Sequence, residues 1–199
     1  MMNYNHNHTP VLVNYLIDNF QLSNSAVVID GTMGFAGHAK SILNLYPNIN
    51  YYGFDKDTFA IEAAIKECED FKYVRIFNQP FSTMFKTIAD YPIKNPTHIL
   101  LDLGVSSYQI DSSQRGFSFQ KDEPLDMRMD KSQDLTADMI INQYSKDALR
   151  SLLIEEGNVR QSERLVETIL RSRDNTPITT TFQLINIIKK SVFVRSRSQ

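Results

Sequence analysis

Four short runs rich in β-branched and aromatic residues punctuate the first half of the chain: "AVVID" at 26–30, "NYYGFD" at 50–55, "KYVRIFN" at 72–78 and "THILLDLGV" at 97–105. Each of the first three is followed by a segment with helical spacing of apolar residues. "GHAKSILNLY" closes on Pro47 and Asn48, "TFAIEAAIKECEDF" follows the second run, and "FSTMFKTIADY" follows the third. This alternation constrains the fold more than any other feature. Strands joined by helical crossovers pair in parallel, because a tight turn can only return a strand antiparallel. The fold class is therefore α/β with an open parallel sheet. Ahead of it, "TPVLVNYLIDNFQ" at 9–21 predicts a helix, with Thr9 as cap and Pro10 in the first turn.

After Gly104 the rhythm changes. Residues 106–134 are polar and aperiodic, and 135–199 read as helices only. "SKDALRSLLIEEG" has Ser145 as cap and Gly157 as terminator; "RQSERLVETILRSR" and, after Pro177, "TTFQLINIIKKS" follow. The expected organisation is a core over 1–105 and a polar segment with a helical subdomain over 106–199. A chain of 199 residues holds one sizeable core, or one core with a small insert.

Composition removes several classes. The apolar runs are too short to span a membrane, and "MMNYNHNHTP" has no signal-peptide pattern. The single cysteine, Cys68, has no partner for an internal disulfide, and a bacterial-type cytoplasm is the expected location. The net charge of −2 divides unevenly: residues 1–149 hold 12 Lys+Arg against 18 Asp+Glu, and residues 150–199 hold 9 against 5. A basic C-terminal third suits a polyanion such as RNA, and it equally suits solvated helix faces.

Three strand ends carry the chemistry. The first run ends in Asp30 and leads into Gly31, Gly34 and Gly37, spaced G-x-x-G-x-x-G. Ligands of open α/β sheets bind at such a turn, where bare backbone permits close approach and helix-start amides donate hydrogen bonds. The spacing is neither the dinucleotide G-x-G-x-x-G nor a P-loop, which disfavours NAD and ATP. A tight structural turn is the alternative. Asp55, at the tip of the second run, is placed to accept from a ribose diol, while Asp57 suits the cap of the next helix. Turn and acid together indicate an adenosine-containing ligand, and S-adenosylmethionine fits. Asp102 ends the fourth run at the same edge and could orient the lone pair of a nucleophilic amine. The polar stretch "SSYQIDSSQRGFSFQKDEPLDMRMD" holds Arg115, Phe117, Phe119 and Arg128. It reads as an RNA-gripping surface or as an ordered lid, with Arg115 and Arg128 either on RNA or paired with Asp111, Asp126 or Asp130.

"HTPVLVNYL", "IDGTMGFAGHAKSIL", "GFDKDTFAI", "LLDLGVSSYQIDSSQRGFSF" and "PLDMRMD" resemble the bacterial small-subunit ribosomal RNA (cytosine-N4)-methyltransferases, from His8 to about Thr181. The resemblance implies a class I S-adenosylmethionine-dependent methyltransferase core, Rossmann-like, comprising the first four strands in the order 3-2-1-4 with an all-helical insert subdomain. It implies S-adenosyl-L-methionine as cofactor and methyl transfer to the exocyclic N4 amine of one cytidine in small-subunit ribosomal RNA. By motif position the cofactor contacts are Ala36, Gly37, His38, Asp55, Phe81, Asp102 and Gln109, and Asp102 is the candidate catalytic residue; no metal is implied. Two departures stand out. Phe35 and Ala36 occupy positions where the family has glycines. The family also continues beyond this chain's end and supplies further strands, so a fragment is expected, with "HILLDLG" as an exposed edge prone to self-association. The competing expectation is a non-catalytic, cofactor- or RNA-binding remnant.

Overall fold

The computed structural model describes residues 10–91, 95–111, 114–159 and 162–191. The chain divides into two compact units, one ending at Gly104 and the other beginning at Val105.

The first unit is built on a parallel sheet of β1 (Val27–Asp30), β2 (Asn50–Asp55), β3 (Val74–Asn78) and β4 (His98–Leu100), in the order β3-β2-β1-β4. Because side chains alternate across a strand, β1 feeds two cores. Val28 joins Tyr51, Met33 and the α2 (Gly37–Leu45) residues Ala39, Ile42 and Leu43 on one face. Val27 and Ile29 join Tyr52, Phe54 and the α4 (Met84–Ile88) residues Met84 and Ile88 on the other. Ala64 of α3 (Thr58–Glu67) packs on the α2 side, and the pair Lys40–Glu67 links α2 to α3. Cys68, at the end of α3, is buried in that same cluster, and burial pushes its thiol up to about 11.

The strand order reverses between β1 and β4, the place in an open α/β sheet where ligands bind. Among the described residues β4 pairs with β1 alone, and Ile99, Leu101 and Leu103 are 44, 42 and 68% exposed.

The first helix starts later than its sequence pattern suggested. α1 spans Val13–Phe20, and Leu12 precedes it in a left-handed conformation (φ 56°). Pro10 lies ahead of the helix rather than in its first turn, and Thr9 falls outside the described residues.

Among the described residues the regular elements of the second unit are helices, apart from one isolated antiparallel bridge, Pro124–Thr180. It contains α5 (Ser107–Asp111), α6 (Ala137–Gln143), α7 (Lys146–Glu155), α8 (Ser162–Asn175) and α9 (Thr181–Ser191). Its own core gathers Leu125, Ile141, Leu149, Leu165, Val166, Ile169, Ile178 and Ile187. Ser145 caps α7 by accepting from the Ala148 amide at 3.2 Å. Past the end of that helix the left-handed residue is Asn158 (φ 50°), not Gly157.

Candidate functional site

The turn after β1 is held from three sides. Asp30 is buried, and its carboxylate accepts from the Tyr51 hydroxyl (2.7 Å) and the Thr32 amide (3.0 Å). Burial outweighs those bonds and raises its pKa to about 6. The Gly31 amide donates to the Leu100 carbonyl of β4 (2.9 Å), the Met33 amide to the Phe54 carbonyl of β2 (3.0 Å), and the Gly34 amide to Asp55 Oδ2 (2.8 Å). Three of the turn's amides are therefore spent on neighbouring strands. The amides that helix geometry leaves without an intrahelical acceptor are those opening α2, at Gly37, His38 and Ala39, ahead of the Lys40 amide that donates to the Ala36 carbonyl.

The glycines have reasons internal to the protein. Gly34 adopts φ +52°. A Cβ on Gly31 would lie 2.5 Å from Leu101 Cδ2 and 2.8 Å from Phe81 Cβ, and one on Gly37 would lie 2.5 Å from Pro10 Cγ. Bare backbone is thus required by packing before any ligand is considered, which was the structural alternative for this motif. Ala36 takes φ 64° as the residue capping α2, a left-handed conformation that costs an L-residue about 1–2 kcal/mol. Gly53 carried no expectation, yet a Cβ there would sit 1.9 Å from Met33 Sδ. The turn's methionine lies over β2 only because that position lacks a side chain, and seeing this needs the register Asp30↔Gly53.

All three acids expected at the sheet edge are tied to the turn, Asp30 and Asp55 through their carboxylates and Asp102 through its main-chain amide. Asp55 is half-buried; besides Gly34 it accepts from the Asp57 amide at 2.9 Å, and burial raises its pKa. Each carboxylate oxygen has two acceptor sites, so Asp55 retains acceptor capacity. Asp57 caps α3 through the Phe59 amide at 3.1 Å. The Asp102 amide donates to Thr32 Oγ1 at 2.6 Å, and its side chain is exposed. Phe81, in a short 3₁₀ turn, is 40% exposed and flanks Gly31. His38 is buried on α2, and its Nε2 donates to the Val11 carbonyl at 2.9 Å.

Gln109 lies in the second unit, buried on α5. Its Oε1 accepts from the Ser106 amide (3.0 Å) while its own amide donates to Ser106 Oγ (3.2 Å), a capping box. The S-x-x-Q spacing of 106–109 carried that signal.

The polar loop that follows engages its two arginines internally. Arg115 is buried and donates to the Met129 carbonyl at 2.9 Å. Arg128 holds Asp126 with two parallel bonds of 2.8 Å and reaches the Gln133 carbonyl at 2.6 Å. Buried Glu123 accepts from the Gly116 amide at 2.9 Å, and its amide donates to Thr181 Oγ1 at 3.0 Å. Of the pairings expected for these arginines, Arg128 makes the one with Asp126, while Arg115 bonds main-chain carbonyls. Phe119 is 75% exposed. Among the described residues no cluster of His, Cys, Asp and Glu could hold a metal ion, and no helix is long and apolar enough to cross a membrane.

Curated relatives align along nearly the whole chain. The ribosomal RNA small subunit methyltransferase H of Finegoldia magna is 36% identical over 186 residues, covering 93% of this chain and 60% of that protein. The protein of the same name from Halothermothrix orenii is 37% identical over 191 residues (96% and 61%), and that from Mycoplasmopsis synoviae 39% over 184 (92% and 60%). The chain thus spans about 60% of the length of these relatives. The parallel sheet with its turn at the β1/β4 reversal agrees with the sequence model of the MraW methylase family, which matches residues 5–199, and the chain belongs to that family.

Proposed function

We propose that the chain carries the cofactor-binding core of an S-adenosylmethionine-dependent enzyme that methylates the exocyclic N4 amine of a cytidine in small-subunit ribosomal RNA. The observation that carries this reading is the convergence of Asp55 and Asp102 on one turn, through Gly34 and Thr32 respectively. Membership of a methylase family and the names of the relatives support it. A cytoplasmic location goes with the same reading.

The residues fit the cofactor's chemistry. Asp55 has acceptor sites left for a ribose diol, and Phe81 presents a partly exposed ring beside the turn for an adenine. The amides opening α2 at Gly37 and His38 provide donors for a carboxylate, with Ala36 shaping their entry. Gln109 is assigned to the same ligand on the strength of the family resemblance. When bound, S-adenosylmethionine supplies a methyl group activated by a sulfonium. Asp102 accepts a hydrogen bond from the cytidine amine, whose lone pair is otherwise delocalised into the ring, and so localises that pair for attack. The remaining contribution is alignment of amine and methyl. The base must be unpaired or extruded to reach the site.

Calorimetric titration of S-adenosylmethionine tests the reading. Asp55→Ala should weaken binding by about 10- to 100-fold, the loss of one or two hydrogen bonds to a charged acceptor, with Asp55→Asn intermediate. A folded wild-type chain that binds no cofactor ends the proposal. Methyl transfer from labelled cofactor to small-subunit particles, by this chain and by one extended to the relatives' length, tests the activity. A second reading, a non-catalytic piece that binds cofactor or RNA, is favoured by the unpaired β4 edge with its exposed Ile99, Leu101 and Leu103. Turnover by the present chain would remove it.

A further inference from the structure

The β1/β4 ladder ends at the pair Asp30↔Leu100, with the Gly31 amide on the Leu100 carbonyl as its last main-chain bond. One more rung of a parallel ladder would direct the next β4-side amide to a main-chain carbonyl. The Asp102 amide instead meets a side-chain oxygen, Thr32 Oγ1, at 2.6 Å. Thr32 is itself fixed, because its amide donates to Asp30 Oδ1 (3.0 Å), and Asp30 is anchored from β2 by the Tyr51 hydroxyl (2.7 Å). The segment after β4 has little else to hold it: Leu101, Asp102, Leu103 and Gly104 are all exposed.

We infer that Thr32 is a positioning residue: its hydroxyl clasps the main chain at Asp102 and holds that carboxylate at the glycine turn, so that Tyr51, Asp30, Thr32 and Asp102 form one hydrogen-bonded line from the buried sheet to the proposed cofactor site. This rests on the proposed function and on Asp102 being one of the cofactor contacts that the family resemblance implies. Thr32 acts through the main chain of another residue and needs no ligand contact of its own. The requirement is narrow. Serine keeps the acceptor, whereas valine keeps the shape and removes it.

The test pairs amide exchange with cofactor titration on the present chain. In Thr32→Val the Asp102 amide should exchange at least about tenfold faster, while the Gly31 amide, bonded to Leu100, stays protected. Affinity for S-adenosylmethionine should fall by roughly tenfold, the worth of one lost hydrogen bond. Thr32→Ser should restore both to within about threefold of wild type. Unchanged exchange at Asp102 in Thr32→Val overturns the clasp. Faster exchange with unchanged affinity overturns the positioning role and leaves Thr32 a structural tie. Asp102→Asn separates the two levels. If that variant binds cofactor as wild type does, the reading of Asp102 fails and the positioning role with it, even where exchange shows the clasp intact.

Discussion

The turn at 31–37 and the loop at 114–136 are both irregular and rich in polar residues, yet they treat their carboxylates in opposite ways. Asp30, which ends β1 and anchors the turn, is buried with a phenol and an amide as its donors, and burial lifts its pKa to about 6. Asp126 in the loop is gripped by the Arg128 guanidinium, whose hydrogen bonds hold its pKa below the usual carboxylate value. In the turn, main-chain amides reach outward to the ends of β2 and β4 and leave Asp55 and Asp102 with unspent acceptor capacity. In the loop, charged side chains reach inward to the loop's own main chain. Sequence composition alone would assign both segments to ligand binding. What separates them is which charged groups the fold itself already consumes.

The largest expected effect tests the buried acid. Between about pH 4 and pH 6 the unfolded chain releases the Asp30 proton while the folded chain keeps it, so stability falls as pH rises through that window and is level above it. A displacement from 3.8 to about 6 corresponds to roughly 3 kcal/mol. Urea denaturation across this range, compared with Asp30→Asn, measures it. The amide can still accept from Thr32 and donate to Tyr51, and it should flatten the slope. Equal slopes in the two proteins would place Asp30 in water and erase the contrast with Asp126.

The loop's counterpart is Glu123. Glu123→Ala leaves the Gly116 amide buried without its acceptor and should destabilise the second unit by about 2 kcal/mol, while Glu123→Gln, whose Oε1 still accepts from that amide, should recover most of the loss. An effect indistinguishable from zero would mean that the loop is not closed on itself. A smaller change with the opposite sign is expected in the turn. Ala36→Gly releases a left-handed alanine and should raise stability by about 1 kcal/mol, read as a higher denaturation midpoint. Arg128→Ala should do least. It loses the pairing with Asp126, and the salt dependence of RNA binding should stay as in wild type. A slope reduced by about one unit would place Arg128 on a phosphate and align the loop with the turn after all.

Much of the sheet was legible because its strands are near-continuous apolar runs separated by helix-length segments, and the strand order followed from the family resemblance. Local caps were legible too: Asp57 and Ser145 sit where the spacing to the next apolar period put them. The late start of α1 was not, since nothing local marks Leu12 for a left-handed conformation. The inward turn of Arg115 depends on the carbonyl of Met129, 14 residues away along an aperiodic loop. Gly53 and Met33 meet only once β1 and β2 are in register. In the candidate site, the strand-tip positions of Asp55 and Asp102 came from counting residues. The role of Thr32 did not, because a hydroxyl bonded across 70 residues leaves no periodic trace.

The single cysteine has a practical consequence. Cys68 is buried at the end of α3 in the cluster it shares with α2, and burial raises its thiol to about 11. A maleimide reagent can therefore label it only when that side of the sheet opens, and the labelling rate becomes a one-site clock for breathing of the first unit, readable without engineering any probe into the chain.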